Sequence, residues 1–212
     1  DSLLLIDSGG HYVFGTTDIT RTINLYDGIV SLAIKRHYTM VLNSLMKLAI
    51  QKFPYGLTGT ELDIVARMNL YNERLDFNHG TGHGIGFISN VHEGPNRIGP
   101  GFNKDSDLNV LEVGQLVSDE PGLYFENKYG IRLENDLLVC QDSENEFGDF
   151  LRFEIMTLCP FERSLIDEKL LDRDVVLALN QYNMLVYKKL ANKMSAEERE
   201  LLKKDTRPFT LR

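Results

Sequence analysis

Cysteine is scarce in this sequence. Cys140 and Cys159 are the two present, and no CxxC joins them. This excludes a disulfide framework or a thiolate zinc site and fits a reducing, cytoplasmic compartment. Positive charge is also in short supply. Lys and Arg number 23 against 31 Asp and Glu, for a net charge of −8. Such an excess disfavours nucleic acid and anionic membrane surfaces as partners. There is no signal peptide, no apolar run of membrane-spanning length and no N-x-Ser/Thr sequon. What remains is an ordinary globular mixture, 42% hydrophobic and 25% charged, over 212 residues. That length suffices for one domain with its own core. The chain opens on Leu3-Leu4-Leu5-Ile6, a strand-like run with no cap before it, and reads as a piece of a longer protein.

A run from 2 to 8 ends at Ser8-Gly9-Gly10, a turn signal, and residues 11–15 and 16–25 are rich in strand formers. Leu32, Leu42, Leu45, Leu48 and Ala49 recur at helical spacing, which predicts a helix over 28–53 stopped by Pro54-Tyr55-Gly56. Thr58 or Thr60 caps a second helix over about 60–74. Residues 87–109 read as irregular. Strands follow near 114–120, 130–140 and 150–159, with a loose polar loop over 141–149. Helices are predicted over 167–190 and 195–204, the latter opening on Ser195 with Glu198 in the capping-box position. Strands in the middle and helices at the flanks predict an α+β fold, with helices on one face of a curved antiparallel sheet.

The central stretch is His79–His92, HGTGHGIGFISNVH, with three of the five histidines. Glycines at 80, 82, 84 and 86 suit a loop whose backbone passes close to a neighbour. Asp7 and Asp18 lie on successive strand candidates, and so do Glu120 and Glu134. Antiparallel pairing can bring each pair of carboxylates to one point. Taken singly, each acid reads as a solvated strand-end group. The residues alone do not single out these four from 31.

A resemblance does. Asp7-Ser8-Gly9-Gly10 with Gly15-Thr16-Thr17-Asp18-Ile19-Thr20-Arg21-Thr22 resembles the first metal motif of aminopeptidase P, the Xaa-Pro aminopeptidases. HGTGHG with Asn90-Val91-His92-Glu93-Gly94-Pro95 is similar to the histidine loop of that family. Asp119-Glu120-Pro121-Gly122-Leu123-Tyr124 and Gly130-Ile131-Arg132-Leu133-Glu134-Asn135 resemble its last two motifs, and Thr157-Leu158-Cys159-Pro160 falls where the family has a like strand. All stand in family order over nearly the whole chain.

The resemblance implies the pita-bread fold, a curved antiparallel sheet with helices on its outer face. It makes 1–212 a C-terminal catalytic domain without its front part and upstream domains, among which the family has a further active-site His. It implies that Asp7 chelates one metal, that Asp18 and Glu134 bridge two, and that His83 and Glu120 bind the other. The cofactors expected are two divalent ions, Mn²⁺ first, with Co²⁺ or Zn²⁺ as alternatives. Four carboxylates and one imidazole match two divalent charges and a mostly hard-oxygen ligand set. Glu120 would shuttle a proton as a metal-bridging hydroxide attacks the scissile carbonyl, with His92 and His79 beside the metals. Arg132 would orient Glu134 or a neighbouring acid. The expected substrates are peptides with proline second, and the expected assembly is a homodimer. The short Glu120–Glu134 spacing resembles the cytosolic eukaryotic type more than prolidases, which separate these glutamates further. A prolidase and a non-catalytic pita-bread binding module are the alternatives.

Overall fold

The structure is a computed structural model and describes residues 2–88, 90–100 and 109–211. Residues 101–108, part of the stretch expected to be irregular, lie outside them.

Strands β1 (Leu3–Tyr12) and β2 (Gly15–Asn24) form one long antiparallel hairpin, paired from Leu3 with Asn24 to Tyr12 with Gly15. The turn expected at Ser8-Gly9-Gly10 lies instead at Val13-Phe14. Gly9 and Gly10 sit inside the ladder, opposite Asp18 and Thr17. Continuous pairing against a Thr- and Ile-rich partner outweighs the local turn preference.

Helix α1 (Leu32–Ala49) is shorter than expected at both ends. Ser31 caps it by accepting a hydrogen bond from the Ile34 amide at 3.4 Å. After it, β3 (Lys52–Pro54) leaves the helical path to pair with the sheet. Helix α2 (Gly59–Tyr71) starts after Thr58, whose amide donates to Glu61 Oε2 at 2.8 Å. The short β4 (Gly82–His83) and β5 (Arg97–Ile98) pair with each other.

Next come β6 (Leu116–Asp119), β7 (Gly122–Phe125), β8 (Tyr129–Arg132) and β9 (Asn135–Asn145). Asp119 pairs with Asn135 and Gly122 with Arg132, in one unbroken register. They are therefore a single fold-back, split at Glu120-Pro121 and Leu133-Glu134. Pro121 has no amide to give to a ladder, which favours the break there. The strand expected over 130–140 is thus two. The loop expected over 141–149 is mostly strand, because β9 runs on to Asn145 and β10 (Gly148–Ile155) returns along it. The Phe147 amide donates to Asn145 Oδ1 at 2.8 Å, and Gly148 has a φ of 106° that a glycine adopts freely. The residues there are polar because the ladder end is largely exposed. The larger sheet runs β3-β10-β9-β6, antiparallel throughout.

Helices α3 (Arg173–Leu190) and α4 (Ala196–Asp205) close the chain. The Ser195–Glu198 capping box forms as expected, with reciprocal bonds of 2.9 and 3.3 Å. One apolar cluster joins Leu45 and Met46 of α1 to Leu179 and Val186 of α3 and to Leu123 and Ile131 of the second hairpin. Another joins Leu48 and Leu62 to Val117, Leu137 and Leu151. Strand side chains alternate between faces. Val117, Leu123, Ile131, Leu137 and Val139, all odd-numbered, meet this helix-covered core, which leaves Ser118, Tyr124, Arg132 and Asp136 on the other face. Exposed apolar side chains gather on the first hairpin and just after it, at Leu4, Ile6, Val13, Phe14, Ile29 and Leu32. Among the described residues, no helix is long and apolar enough to cross a membrane.

Candidate metal centre

The first hairpin delivers two carboxylates. Asp7 lies opposite Thr20, and Asp18 lies opposite Gly9, so Asp7, Asp18 and Thr20 share one face. The second hairpin delivers two more at its split. Freed from the ladder, the Glu120 amide donates to Thr81 O at 2.7 Å and the Glu134 amide to Thr20 O at 3.0 Å. The same break that interrupts the strands therefore ties one glutamate to the histidine loop and the other to β2.

The histidine loop is pressed against β6. A Cβ on Gly82 would fall 1.8 Å from Ser118 O, so no other residue fits there. Ser118 Oγ accepts from the His83 amide at 3.0 Å. His83 Nδ1 lies 3.0 Å from Gly84 O, and a carbonyl only accepts, so Nδ1 carries the proton. Nε2 is then the free lone pair. It lies 3.5 Å from Asp18 Oδ2 and 3.4 Å from Glu120 Oε1.

All five expected ligands come together. Asp7, Asp18 and Glu134 form one group and His83, Glu120 and Glu134 another, each with donor atoms within 4.8 Å of one another. The two groups share Glu134. A third group of the same kind holds Asp18, His83 and His92.

The charges in this cluster are not balanced by the protein alone. Burial, then Glu120, and then Asp18 and Asp7, push Glu134 up to about 8, against the opposing bond from Thr20 Oγ1 at 2.6 Å. Burial raises Glu120, with His83 and Arg132 opposing. Burial acts to lower His83, but Asp18, the Gly84 carbonyl and Glu120 outweigh it and the group ends up raised. Asp136 is pushed up to about 7, by burial first and also by Asp18, whose amide bonds its Oδ2 at 3.1 Å. Oxygen-rich, like-charged and half-buried, this donor set fits two divalent cations.

A pH dependence follows. Glu134 titrates near about 8 when folded but near 4.5 when unfolded, so the folded chain holds its proton longer. The resulting penalty is absent below the unfolded value and complete above the folded one, and Asp136 and His83 act in the same sense. In the presence of chelator, the melting temperature is expected to fall from about pH 5 to about pH 8, and Mn²⁺ should raise it more at the upper end. A chelated melting temperature that holds or climbs over this range would contradict the assignment.

Residues 1–141 match the metallopeptidase family M24, and residues 149–209 match the C-terminal region of peptidase M24. The chain belongs to metallopeptidase family M24. It is 42% identical over 213 residues to a Pyrenophora teres protein named Probable Xaa-Pro aminopeptidase P, covering 98% of this chain and 32% of that one. It is also 42% identical to aminopeptidase P1 of Arabidopsis thaliana, over 100% of this chain and 33% of that protein. Among solved structures it is similar to X-prolyl aminopeptidase from Caenorhabditis elegans, described as a cytosolic enzyme with a di-nuclear active site. That likeness has a TM-score of 0.86 at 38% identity, covering 97% of this chain and 33% of that one. The M24 chain thus spans about a third of the length of these relatives and has their pita-bread fold.

Around the M24 cluster stand the other expected residues. His79 Nδ1 lies 2.7 Å from Gly80 O, so it donates there, and Nε2 accepts from Tyr124 OH at 2.8 Å. Burial lowers the His79 pKa, which keeps the ring neutral. His92 is exposed and meets the His83 ring edge-on at 4.3 Å. Arg132 reaches Asp7 Oδ2 at 2.6 Å, Thr20 Oγ1 at 3.2 Å and Tyr124 OH at 3.1 Å. It orients Asp7 directly and Glu134 through the Thr20 hydroxyl.

Sequence reasoning passed over Thr20, Ser118, Tyr124 and Asp136. Thr20 was within reach, being two residues from Asp18 and hence on its face. Asp136 carried no signal, since an acid in a predicted strand reads as solvated. Cys140 and Cys159 are free thiols and half-buried. His37 of α1 stacks on Phe125 at 4.5 Å and hydrogen-bonds Tyr129 OH at 2.8 Å.

Proposed function

We propose that this M24 chain carries the catalytic centre of a dimetal aminopeptidase that releases the N-terminal residue from peptides with proline second. One observation carries the reading: two donor groups joined through Glu134, in a chain this similar to X-prolyl aminopeptidases. Asp7, Asp18, His83, Glu120 and Glu134 hold the ions. Mn²⁺ suits the oxygen-rich set, and Co²⁺ or Zn²⁺ also fits. When bound, the cations supply an acidified water and a charge that polarises the scissile carbonyl.

The chain's own residues do the rest. Glu120 Oε1 sits by His83 and accepts from Ser118 Oγ at 3.3 Å, which leaves Oε2 to take the proton and return it to the leaving nitrogen. Exposed His92 donates toward the oxygen that becomes negative. Neutral His79 holds the substrate by exchanging its bond from Tyr124 for one from the peptide. Arg132 keeps Asp7 and Thr20 in place.

The compartment proposed is the cytosol, in keeping with the C. elegans enzyme. A homodimer is supported by exposed Leu177 and Met184, seven residues apart on one face of α3.

The test uses the full-length enzyme that contains this chain. It is expected to cleave a Xaa-Pro-Xaa tripeptide, to stop when dialysed against chelator, and to recover with Mn²⁺. Cleavage of Xaa-Pro dipeptides alone would make it a prolidase. Two bound metals without hydrolysis of either peptide would make it a binding module.

A further inference from the structure

We infer that the buried Asp63–Arg67 pair of helix α2 is a positioning device that sets His79 and Glu120 for catalysis, an inference that rests on the peptidase reading above. The two residues lie four apart and are only 4% and 1% exposed. Arg67 Nε donates to Asp63 Oδ2 at 2.7 Å. Its Nη1 donates to Asp76 Oδ1 at 2.6 Å and Phe77 O at 2.8 Å, and its Nη2 to His79 O at 2.6 Å. The guanidinium lies 3.9 Å from the centre of the Phe77 ring. The other oxygen of Asp63 accepts from Thr81 Oγ1 at 2.5 Å, and Thr81 O in turn accepts the Glu120 amide at 2.7 Å.

Every second residue from Phe77 to Thr81 is therefore tied to one pair. The last tie passes on to Glu120. A buried ion pair is a poor route to stability, because an apolar pair of similar volume often does as well. It is a good route to placement. The planar fork of arginine holds four acceptors in fixed directions, which the point charge of lysine does not. Beyond the bond within the pair, Arg67 donates to Asp76, Phe77 and His79, in the segment that carries His79 and leads into His83. Small displacements of catalytic groups cost large factors in rate, so the pair acts through geometry without touching substrate.

The experiment compares Thr81→Val, Thr81→Ser and Arg67→Lys in the full-length enzyme, at temperatures well below melting. Thr81→Val removes the bond to Asp63 with little change of shape. We expect kcat on a Xaa-Pro-Xaa tripeptide to fall about tenfold or more, with KM within about twofold and both metals retained. Thr81→Ser, which keeps the hydroxyl, should restore most of the rate. Arg67→Lys, which loosens the hold on the His79 carbonyl, should lower kcat and also raise KM, because His79 holds the substrate. Should that variant fail to fold, the Val and Ser pair at Thr81 still decides. Folded Thr81→Val with wild-type kcat would overturn the inference, as would losses of rate and metal content in parallel. The wild-type rate on the same tripeptide keeps the two claims apart. An inactive wild type refutes the peptidase reading, whereas an active wild type with unaltered variants refutes the positioning role alone.

Discussion

Glu120→Gln is expected to lower kcat by about 10²–10⁴-fold while leaving the melting temperature close to that of the wild type. The amide keeps the size of the side chain and can still accept the Ser118 hydroxyl, now 3.3 Å from Oε1. It cannot take a proton and give it back. Stability should hold or rise, because the substitution removes a buried charge crowded by Glu134 and Asp18. The measurement is kcat of the full-length enzyme, with metal content determined on the same sample. A rate near that of the wild type refutes the proton-carrying role. A collapse of melting temperature in step with the lost activity would make Glu120 structural.

Arg21→Met is expected to act the other way, through folding. Arg21 is 6% exposed and ties four parts of the chain together. Its Nη1 donates to Thr20 O at 3.0 Å and to Glu134 O. Its Nη2 donates to Asn135 Oδ1 and Cys159 O, both at 2.8 Å, and to Tyr182 OH at 3.3 Å. Its Nε reaches Pro160 O at 3.2 Å, and the group lies 4.3 Å from the centre of the Phe161 ring. Methionine fills similar space and supplies no donor. Each stranded buried acceptor costs roughly 1–3 kcal/mol. Relief from burying a cation offsets part of this. We expect a net loss on the order of 4 kcal/mol, a large share of the ~5–15 kcal/mol available to a domain. Denaturation by urea should show a much lower midpoint for Arg21→Met and an intermediate one for Arg21→Lys. An unchanged midpoint would show that the surrounding strands and α3 hold without the arginine.

The elements easiest to read from the sequence were those with a strong local signature. The Ser195–Glu198 capping box needed no tertiary information. The metal cluster was legible through ordered motifs, and hairpin geometry then explained why acids far apart in sequence converge. Features decided by long-range pairing were not. Ser8-Gly9-Gly10 has the composition of a turn, but Thr17 and Asp18 across the ladder keep it extended. The polar run from Gln141 is strand because β10 lies beside it. Asp63 and Arg67 have the spacing of an ordinary surface pair on a helix, and only the fold shows them buried. Arg21 stands inside a quoted motif, yet nothing in its neighbours shows that its partners come from 134–135 and 159–160.

The split hairpin has a consequence for how such chains can diverge in length. Glu120 and Glu134 are located by the pairing of Asp119 with Asn135 on one side and of Gly122 with Arg132 on the other. The arm beyond them ends at Phe125 and Tyr129, which His37 grips from α1. Residues 126–128 outside that grip have no part in placing either glutamate. Paired additions at this tip would lengthen the arm in whole ladder steps and keep every side chain on its face, whereas a single added residue would have to be absorbed as a bulge. The sequence distance between the two glutamates is thus a free variable of the architecture, and their separation in space is not.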